Sequence, residues 1–417
     1  MWPYKKKIIP KKLHICMIAQ KFPILGMAGA HSFLWPIAKK MVSLGHSVSV
    51  ISWKNSQNKT YLDQDGVRAY FLGHIYEKAS LSNFSELCHK QFLQLHKIQK
   101  FNIVHSIDKT GILIAQNKKL YKTPIIFDIE ATAISQYLFL ASLSQDNVRN
   151  FIKIHFNLLY RFIVNFLKQD RNILKQASAI FVSSTLQRSI LERYFLFPDY
   201  HTYLVPYGVD VHDFSLQSKS PILQQKLLIP KQAKILLTIS NMSELTGITS
   251  LLKAFSKVAI KKSSTRLIII GNGPNYQNIQ RLVLDLALGD HVILLGHIPN
   301  LELMDYIALS DIFISLTPHS SGFDPNLINA MVQKKIVIGA DINPISSLIQ
   351  NNINGFLTKP SDINTLGKHL IASVFDTQPS LELGEKAQST VHKLFNLDTM
   401  AKQTLDAYYS VLKKRPL

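Results

Sequence analysis

Ser321, Asp324 and Asn329 lie in the segment Ser321-Gly322-Phe323-Asp324-Pro325-Asn326-Leu327-Ile328-Asn329-Ala330-Met331, an apolar frame carrying side chains suited to binding hydroxyls. Ser321 can donate and accept hydrogen bonds, and the amide of Asn329 does the same. The Asp324 carboxylate can accept from a hydroxyl or cap the turn that follows, and beside an anion it repels. His319, two residues upstream, offers an imidazole to an anion or a hydroxyl, or sits as a turn residue at a rim. Earlier in the chain, Gly271-Asn272-Gly273-Pro274 follows the apolar run Arg266–Ile270. The backbone N–H groups of such a turn can cradle an anion. In the first half, His105 offers a second imidazole, or a hydrogen-bonded structural side chain. Asp128 and Glu130 offer carboxylates for proton transfer with a hydroxyl, or for ordinary capping.

These residues need strands and turns to bring them together. Leu13–Ala19, Ser47–Trp53, Ile103–Ile107, Ile125–Ile129 and Ala179–Ser183 read as strands, short apolar runs of β-forming residues. Between the first two, Leu34, Ala38, Met41 and Leu44 recur at helical spacing, with Pro36 in the first turn and Gly45-His46 at the end. A second series, Ile235–Ser240, Arg266–Ile270, Val292–Leu295, Ile312–Leu316 and Lys335–Ile338, follows a stretch punctuated by Pro221 and Pro230. Apolar strands separated by helices predict parallel sheets covered on both faces. Residues 147–176 read as a long basic amphipathic helix, packed on the core or lying on an anionic interface. The run Leu13–Ala19 behind Lys5, Lys6, Lys7, Lys11 and Lys12 loosely resembles a secretory signal, yet reads better as a buried strand. No uninterrupted apolar stretch is long enough to span a bilayer.

The chain has 417 residues, enough for two domains of about 200 residues each. Its 47% hydrophobic and 18% charged residues exclude collagen-like, coiled-coil and disordered classes. Cys16 and Cys88 cannot build a disulfide framework or a four-ligand zinc site, which points to a reducing compartment. Of the net charge of +20, residues 1–210 carry +15, from 27 Lys/Arg against 12 Asp/Glu. Such a field reads either as a lysine-rich, solubilised surface or as one that favours anionic partners, with an anionic membrane surface ahead of nucleic acid, since no nucleic-acid recognition module accompanies the charge.

Several segments in one order resemble the retaining, sugar-nucleotide-dependent glycosyltransferases of the GT-B fold, family 4. Gly26 and Gly29 resemble the glycine-bearing loop on the acceptor side, and Asn102-Ile103-Val104-His105 the family's strand ending in histidine. Val205-Pro206-Tyr207-Gly208-Val209-Asp210 with Phe214 resembles the exit from the first domain, and Gly271–Pro274 the Gly-x-Gly-Pro turn. Ala387, Phe395, Ala401 and Tyr408 resemble the closing helices. The resemblance spans essentially the whole chain. It implies an α/β, GT-B-like fold: two Rossmann-like domains facing a cleft, with a C-terminal helix crossing back to the first. The boundaries it implies are residues 1–216 for the acceptor-side domain, 217–234 for a linker, 235–400 for the donor-side domain and 401–417 for the crossover helix.

The same resemblance exposes departures. The family has glutamates at the positions of Ser321 and Asn329, the first supporting the sugar and the second the ribose, and a glycine at Asp324. Its Arg and Lys that receive the diphosphate match Asn241 and Thr246. Each charge-assisted contact contributes about 1.5–3 kcal/mol, so losing both costs about 3–6 kcal/mol unless other cations replace them. Phe127-Asp128-Ile129-Glu130 resembles a Tyr-Asp-Ala-His-Glu segment shortened by one residue, or an imperfect ungapped Asp-x-His-Glu; in neither register does a histidine fall there. The implied ligand is a nucleotide diphospho-sugar, in contact with Gly29, Asn241, Thr246, Gly271, Gly273, Ser321, Gly322, Phe323, Asp324 and Asn329. No metal or other cofactor is expected, because this fold handles phosphate charge with cationic side chains and helix-end N–H groups. His105, Asp128, Glu130 and His319 are the candidate catalytic residues. Three readings stay open: a noncatalytic or strongly impaired subunit, scaffold or sensor with a protein partner; an active diverged transferase with a glycan or glycolipid acceptor; or another role on this scaffold. The implied setting is cytoplasmic, peripheral at the inner face of the cytoplasmic membrane.

Overall fold

The computed structural model describes residues 10–22, 33–53, 59–73, 81–129, 132, 134, 170–206, 208, 216–242, 246–316, 324–342, 345–375 and 377–414. Two sheets organise them, and the fold is two Rossmann-like α/β domains with a cleft between. The first sheet contains β1 (His14–Ile18), β2 (Ser47–Trp53), β3 (Tyr61–Gln64), β4 (Val67–Leu72), β5 (Ile103–Ile107), β6 (Ile125–Asp128), β7 (Ala179–Val182) and β8 (Thr202–Leu204), in the order β3-β4-β2-β1-β5-β6-β7-β8. All pairings are parallel except the β3–β4 hairpin, whose turn at Asp65-Gly66 has both residues at positive φ. The second sheet contains β9 (Ile235–Ile239), β10 (Arg266–Ile270), β11 (Val292–Gly296), β12 (Ile312–Ser315), β13 (Ile336–Ala340) and β14 (Phe356–Thr358). Its order, β11-β10-β9-β12-β13-β14, is fully parallel and reverses direction between β9 and β12.

Each sheet is covered on both faces, which explains why its central strands are mostly apolar and almost wholly buried. On β5, Ile103 and Ile107 join one core cluster while Val104 joins the other. His105 alternates onto the first of these faces, beneath the helices Leu34–Ser43 and Leu397–Lys413. The expected strand positions coincide with β1, β2, β5, β6, β7 and β9 to β13 within a residue or two. The hairpin β3–β4 and the short edge strands β8 and β14 carried no strong periodic signal.

Residues 217–234 contain the helix Pro221–Lys226, N-capped by Ser220, and place Leu223, Leu227, Ile229 and Ala233 against the second sheet's core. The last helix, Leu397–Lys413, starts four residues earlier than expected because Asn396 caps it, accepting from the N–H groups of Asp398 and Thr399. Met400, Ala401, Ala407, Tyr408, Val411 and Leu412 bury themselves in the first domain's core, so the chain returns to the first domain. The two crossings meet where Gly208 N–H donates to Met400 Sδ at 3.0 Å. Of the helix expected over 147–176, Arg171–Gln176 is described, while 147–169 lies outside the described residues. No helix among the described residues is long and apolar enough to cross a membrane.

Candidate functional site

The second sheet reverses its winding between β9 and β12, and in open α/β sheets the crevice beyond such a point receives the ligand. Two helices begin at this edge, Thr246–Lys261 after β9 and Pro325–Val332 after β12, so the positive ends of both helix dipoles face it. Asn241 is exposed in the loop leaving β9 and Thr246 opens the first of these helices.

The glycine turn is explained first by packing. Gly271 has φ +131°, and a Cβ on it would lie 1.7 Å from the Ser240 carbonyl oxygen. A Cβ on Gly273 would lie 2.0 Å from that of Asn241. The turn after β10 thus rests directly on the loop after β9, fixed by Asn275, whose side-chain Nδ2 donates to the Met242 carbonyl at 3.0 Å. Met242 itself is fully buried at φ +50°. Gly271 and Gly273 therefore hold Asn241 in place whether or not an anion binds above them.

Asp324 has an unambiguous local role. It is 3% exposed and N-caps the helix Pro325–Val332, with Oδ1 accepting from Asn326 N–H at 2.9 Å. Its Oδ2 accepts from Ser315 Oγ, on the last residue of β12, at 3.0 Å. Pro325 at the first helical position has no N–H to offer. The carboxylate thus occupies part of the donor set that a helix N-terminus would present to a phosphate. Asn329 sits one turn further on, half-buried. Ser321, Gly322, Phe323 and His319 lie outside the described residues.

In the first domain the structure brings His105 and Asp128 together under the last helix. His105 is 2% exposed, with Nδ1 2.7 Å from Tyr408 Oη and Nε2 3.7 Å from Asp128 Oδ2. Phe181 and Tyr408 meet its ring edge-on, with centroids 5.1 and 5.9 Å away. Burial and the Asp128 charge push the Tyr408 hydroxyl far up, so it stays protonated and can donate to His105. Asp128 closes β6 and is also buried. Ile129 follows it, 8% exposed, its N–H donating to the Phe181 carbonyl at 3.1 Å. These contacts link the strand β5 to the crossover helix. Glu130 and Gly29 lie outside the described residues. Among the described residues no group of three His, Cys, Asp or Glu could hold a metal ion.

Two partners were not read from the sequence. Ser315 was hidden as the end of a strand, although a serine closing Ile-Phe-Ile-Ser is a signal that the strand's last side chain meets something polar. Tyr408 stood out as a helix marker; its partnership with His105, 303 residues away in sequence, has no local signature.

Comparison with known proteins agrees with this architecture. Residues 219–390 match the family model for glycosyl transferases group 1. N-acetyl-alpha-D-glucosaminyl L-malate synthase of Bacillus anthracis is 28% identical over 191 residues, covering 46% of this chain and 49% of that protein, so the match spans about half of that relative. The phosphatidylinositol N-acetylglucosaminyltransferase GPI3 subunit of Saccharomyces cerevisiae is 22% identical over 416 residues, covering 95% of this chain and 83% of that one. Among solved structures, HepE of Anabaena in complex with UDP and glucose superposes with a TM-score of 0.70 at 18% identity, over 95% of this chain and 100% of that one. The chain is a GT-B-fold, glycosyltransferase-like protein, related through its second half to the glycosyl transferases of group 1.

Proposed function

We propose that this chain serves polysaccharide or glycolipid assembly as a glycosyltransferase-like protein whose donor side is noncatalytic or strongly impaired. One observation carries the reading: the Asp324 carboxylate caps the helix N-terminus at the sheet's reversal point. A nucleotide diphospho-sugar brings two phosphates to such a place, and transfer adds charge to the leaving diphosphate. Here that helix end already holds a negative charge, and Asn241 and Thr246 bring no compensating cation. The glycolipid setting is supported by a relative whose name describes transfer of N-acetylglucosamine to phosphatidylinositol. The proposed ligand-contacting residues are Gly271, Gly273, Asn241, Thr246, Asp324 and Asn329, together with Ser321, Gly322, Phe323 and Gly29, which lie outside the described residues. Their ligand is a nucleotide diphospho-sugar held weakly, and the chain's physiological partner is a protein or an anionic membrane surface on the cytoplasmic side.

A second reading, an active diverged transferase acting on a glycan or glycolipid, is favoured by the two helices that begin at the crevice edge and by Asn329, whose amide can bind ribose hydroxyls. His105 and Asp128 would then serve from beneath the first-domain side, with Glu130 and His319 as the candidates for contact with the sugar. Calorimetric titration with nucleotide diphosphates and nucleotide sugars, without added metal or vesicles, separates the two. Absence of heat, with only weak competition in ligand-observed NMR, is expected. Micromolar binding of one nucleotide sugar, with turnover on a glycan acceptor, would overturn the first reading in favour of the second.

A further inference from the structure

Away from the cleft, one edge of the first domain concentrates side chains that the candidate site does not use. Every strand of its sheet except β3 runs parallel, so the connections leading into those strands all arrive at one edge, opposite the cleft. Four of these connections present large apolar side chains to solvent: Leu44 ahead of β2, Ile98 ahead of β5, Leu120 ahead of β6, and Leu196 with Tyr200 ahead of β8. Ile98 and Leu196 are each 84% exposed and Leu120 75%. Lysines are interspersed, with Lys12, Lys97, Lys100, Lys119, Lys122 and Lys175 all exposed in connections to the same edge. The acids Asp65, Glu192 and Asp199 are each salt-bridged, to Lys39 or Arg188.

Hydrogen bonds tie these connections into one surface. Tyr409 Oη donates to the Lys11 carbonyl at 2.7 Å, anchoring the last helix beside β1. Lys118 Nζ donates to the Gln176 carbonyl at 2.8 Å, joining the approaches to β6 and β7. His201 Nδ1 lies 3.1 Å from the Ser178 carbonyl, joining those to β7 and β8. The apolar tips are thus held on a rigid frame.

We propose that this edge docks on an anionic lipid bilayer, with Ile98, Leu120, Leu196 and Tyr200 entering the headgroup boundary while the lysines meet lipid phosphates. Separate apolar tips among ammonium groups suit a bilayer, which solvates both at one depth. A protein partner fits less well, because lysine is depleted from protein interfaces. Nucleic acid would engage the lysines and leave Ile98, Leu120 and Leu196 in water. The inference rests on the membrane partner proposed above, for which it names the surface, and holds whether or not the donor site turns over. If the chain handles a glycolipid, the cleft stands at least one five-residue strand, about 17 Å, above the bilayer. The reacting end of the acceptor must then be carried by a head group of comparable length.

The test is flotation of the full chain with vesicles of phosphatidylcholine alone or doped with phosphatidylglycerol. Binding is expected only to the doped vesicles, and raising the salt from about 0.1 to about 0.5 M should release most of it. Lys119→Gln with Lys122→Gln should weaken partitioning by about 25-fold, fivefold per lysine. Ile98→Ser, Leu120→Ser and Leu196→Ser together should abolish it, with an unchanged melting curve because all three are exposed. Failure of the wild type to float would overturn the proposal, as would flotation that survives both sets of substitutions. Retention on duplex DNA or RNA that needs the lysines and ignores the serine substitutions would replace the bilayer by nucleic acid. Vesicles play no part in the nucleotide titration, so failure here leaves the donor-site reading standing, and the reverse also holds.

Discussion

Replacing Asp324 separates its two roles. Asn at this position keeps the cap: its amide oxygen can accept from Asn326 N–H, and its NH2 can donate to Ser315 Oγ, reversing that bond. Only the charge is lost. A phosphate bound at the same helix end would sit about 3 Å from an N–H group that the carboxylate now approaches at 2.9 Å, which puts the two charges about 5 Å apart. At an effective dielectric constant of about 20, each unit of phosphate charge at that distance is repelled by about 3 kcal/mol. Asp324→Asn should therefore raise nucleotide diphosphate affinity by roughly a hundredfold, bringing undetectable binding into calorimetric range. Asp324→Gly should gain similar affinity but lose the side-chain cap, which costs only about a few tenths of a kcal/mol, with a larger loss of about 1–3 kcal/mol from the stranded Ser315 hydroxyl. Denaturant melts of both variants should show Asn near wild type and Gly below it. If the Asn variant folds normally and nucleotide binding stays absent, Asp324 is not the barrier, and the missing cations at Asn241 and Thr246 carry the whole deficit.

Three further outcomes follow from the geometry. Tyr408→Phe removes the Nδ1 partner of the buried His105 and should cost about 1–3 kcal/mol, read as a shifted chemical-denaturation midpoint. Gly271→Ala drives a methyl group into the Ser240 carbonyl at positive φ, so it should destabilise the second domain by more than about 4 kcal/mol and yield little soluble protein. Stability should fall on acidification: burial lowers the proton affinity of His14, His46, His89, His96, His201 and His369 below the usual 6.5. The unfolded chain then binds more protons than the folded one as pH drops, so this stability is complete above 6.5 and is lost as pH falls through the folded-state values. His46 and His96 should dominate, because their Nδ1 atoms accept from the backbone N–H groups of Leu13 and Phe101 and protonation breaks both bonds. Thermal melts between pH 7.5 and about 5 check the sign, and a flat profile would refute it.

The parallel strands were legible because burial on both faces leaves unbroken apolar runs such as Leu-Ile-Ile-Ile, and helices between them fix the direction. The β3–β4 hairpin was not, since Tyr61–Gln64 is an exposed edge strand with polar residues on both faces. The glycines of 271–273 were legible as a turn, but their cause, contact with the loop after β9, belongs to two segments more than 30 residues apart. At Asp324 the sequence left two roles open, ligand contact or cap, and the bonds from Asn326 N–H and Ser315 Oγ show the carboxylate engaged within the protein. His105 illustrates the same limit: its alternation with Ile103 and Ile107 foretells which face it occupies, but not that Tyr408 arrives from the chain's far end to meet it.

On the proposed noncatalytic reading, the cap at Asp324 also bears on how such a site would persist without turnover. A helix N-terminus kept open for an anion leaves N–H groups unsatisfied whenever the ligand is away, a standing cost to the folded state. A glycine there is a weaker cap than an aspartate, and it adds backbone entropy to the unfolded chain. Asp324 satisfies that helix end permanently and adds a buried bond to Ser315, exchanging anion affinity for stability, as expected where binding and stability compete for the same groups. The first domain shows no comparable exchange: His105, Tyr408 and the edge carrying Ile98, Leu120 and Leu196 serve the crossover helix and the surface, and neither depends on a donor. A chain built this way can lose transfer and keep its docking and its shape, which is what a partner-binding or membrane-bound role requires. The Asp324→Asn variant tests this argument from the other side, because it alone should regain nucleotide affinity with no loss of stability.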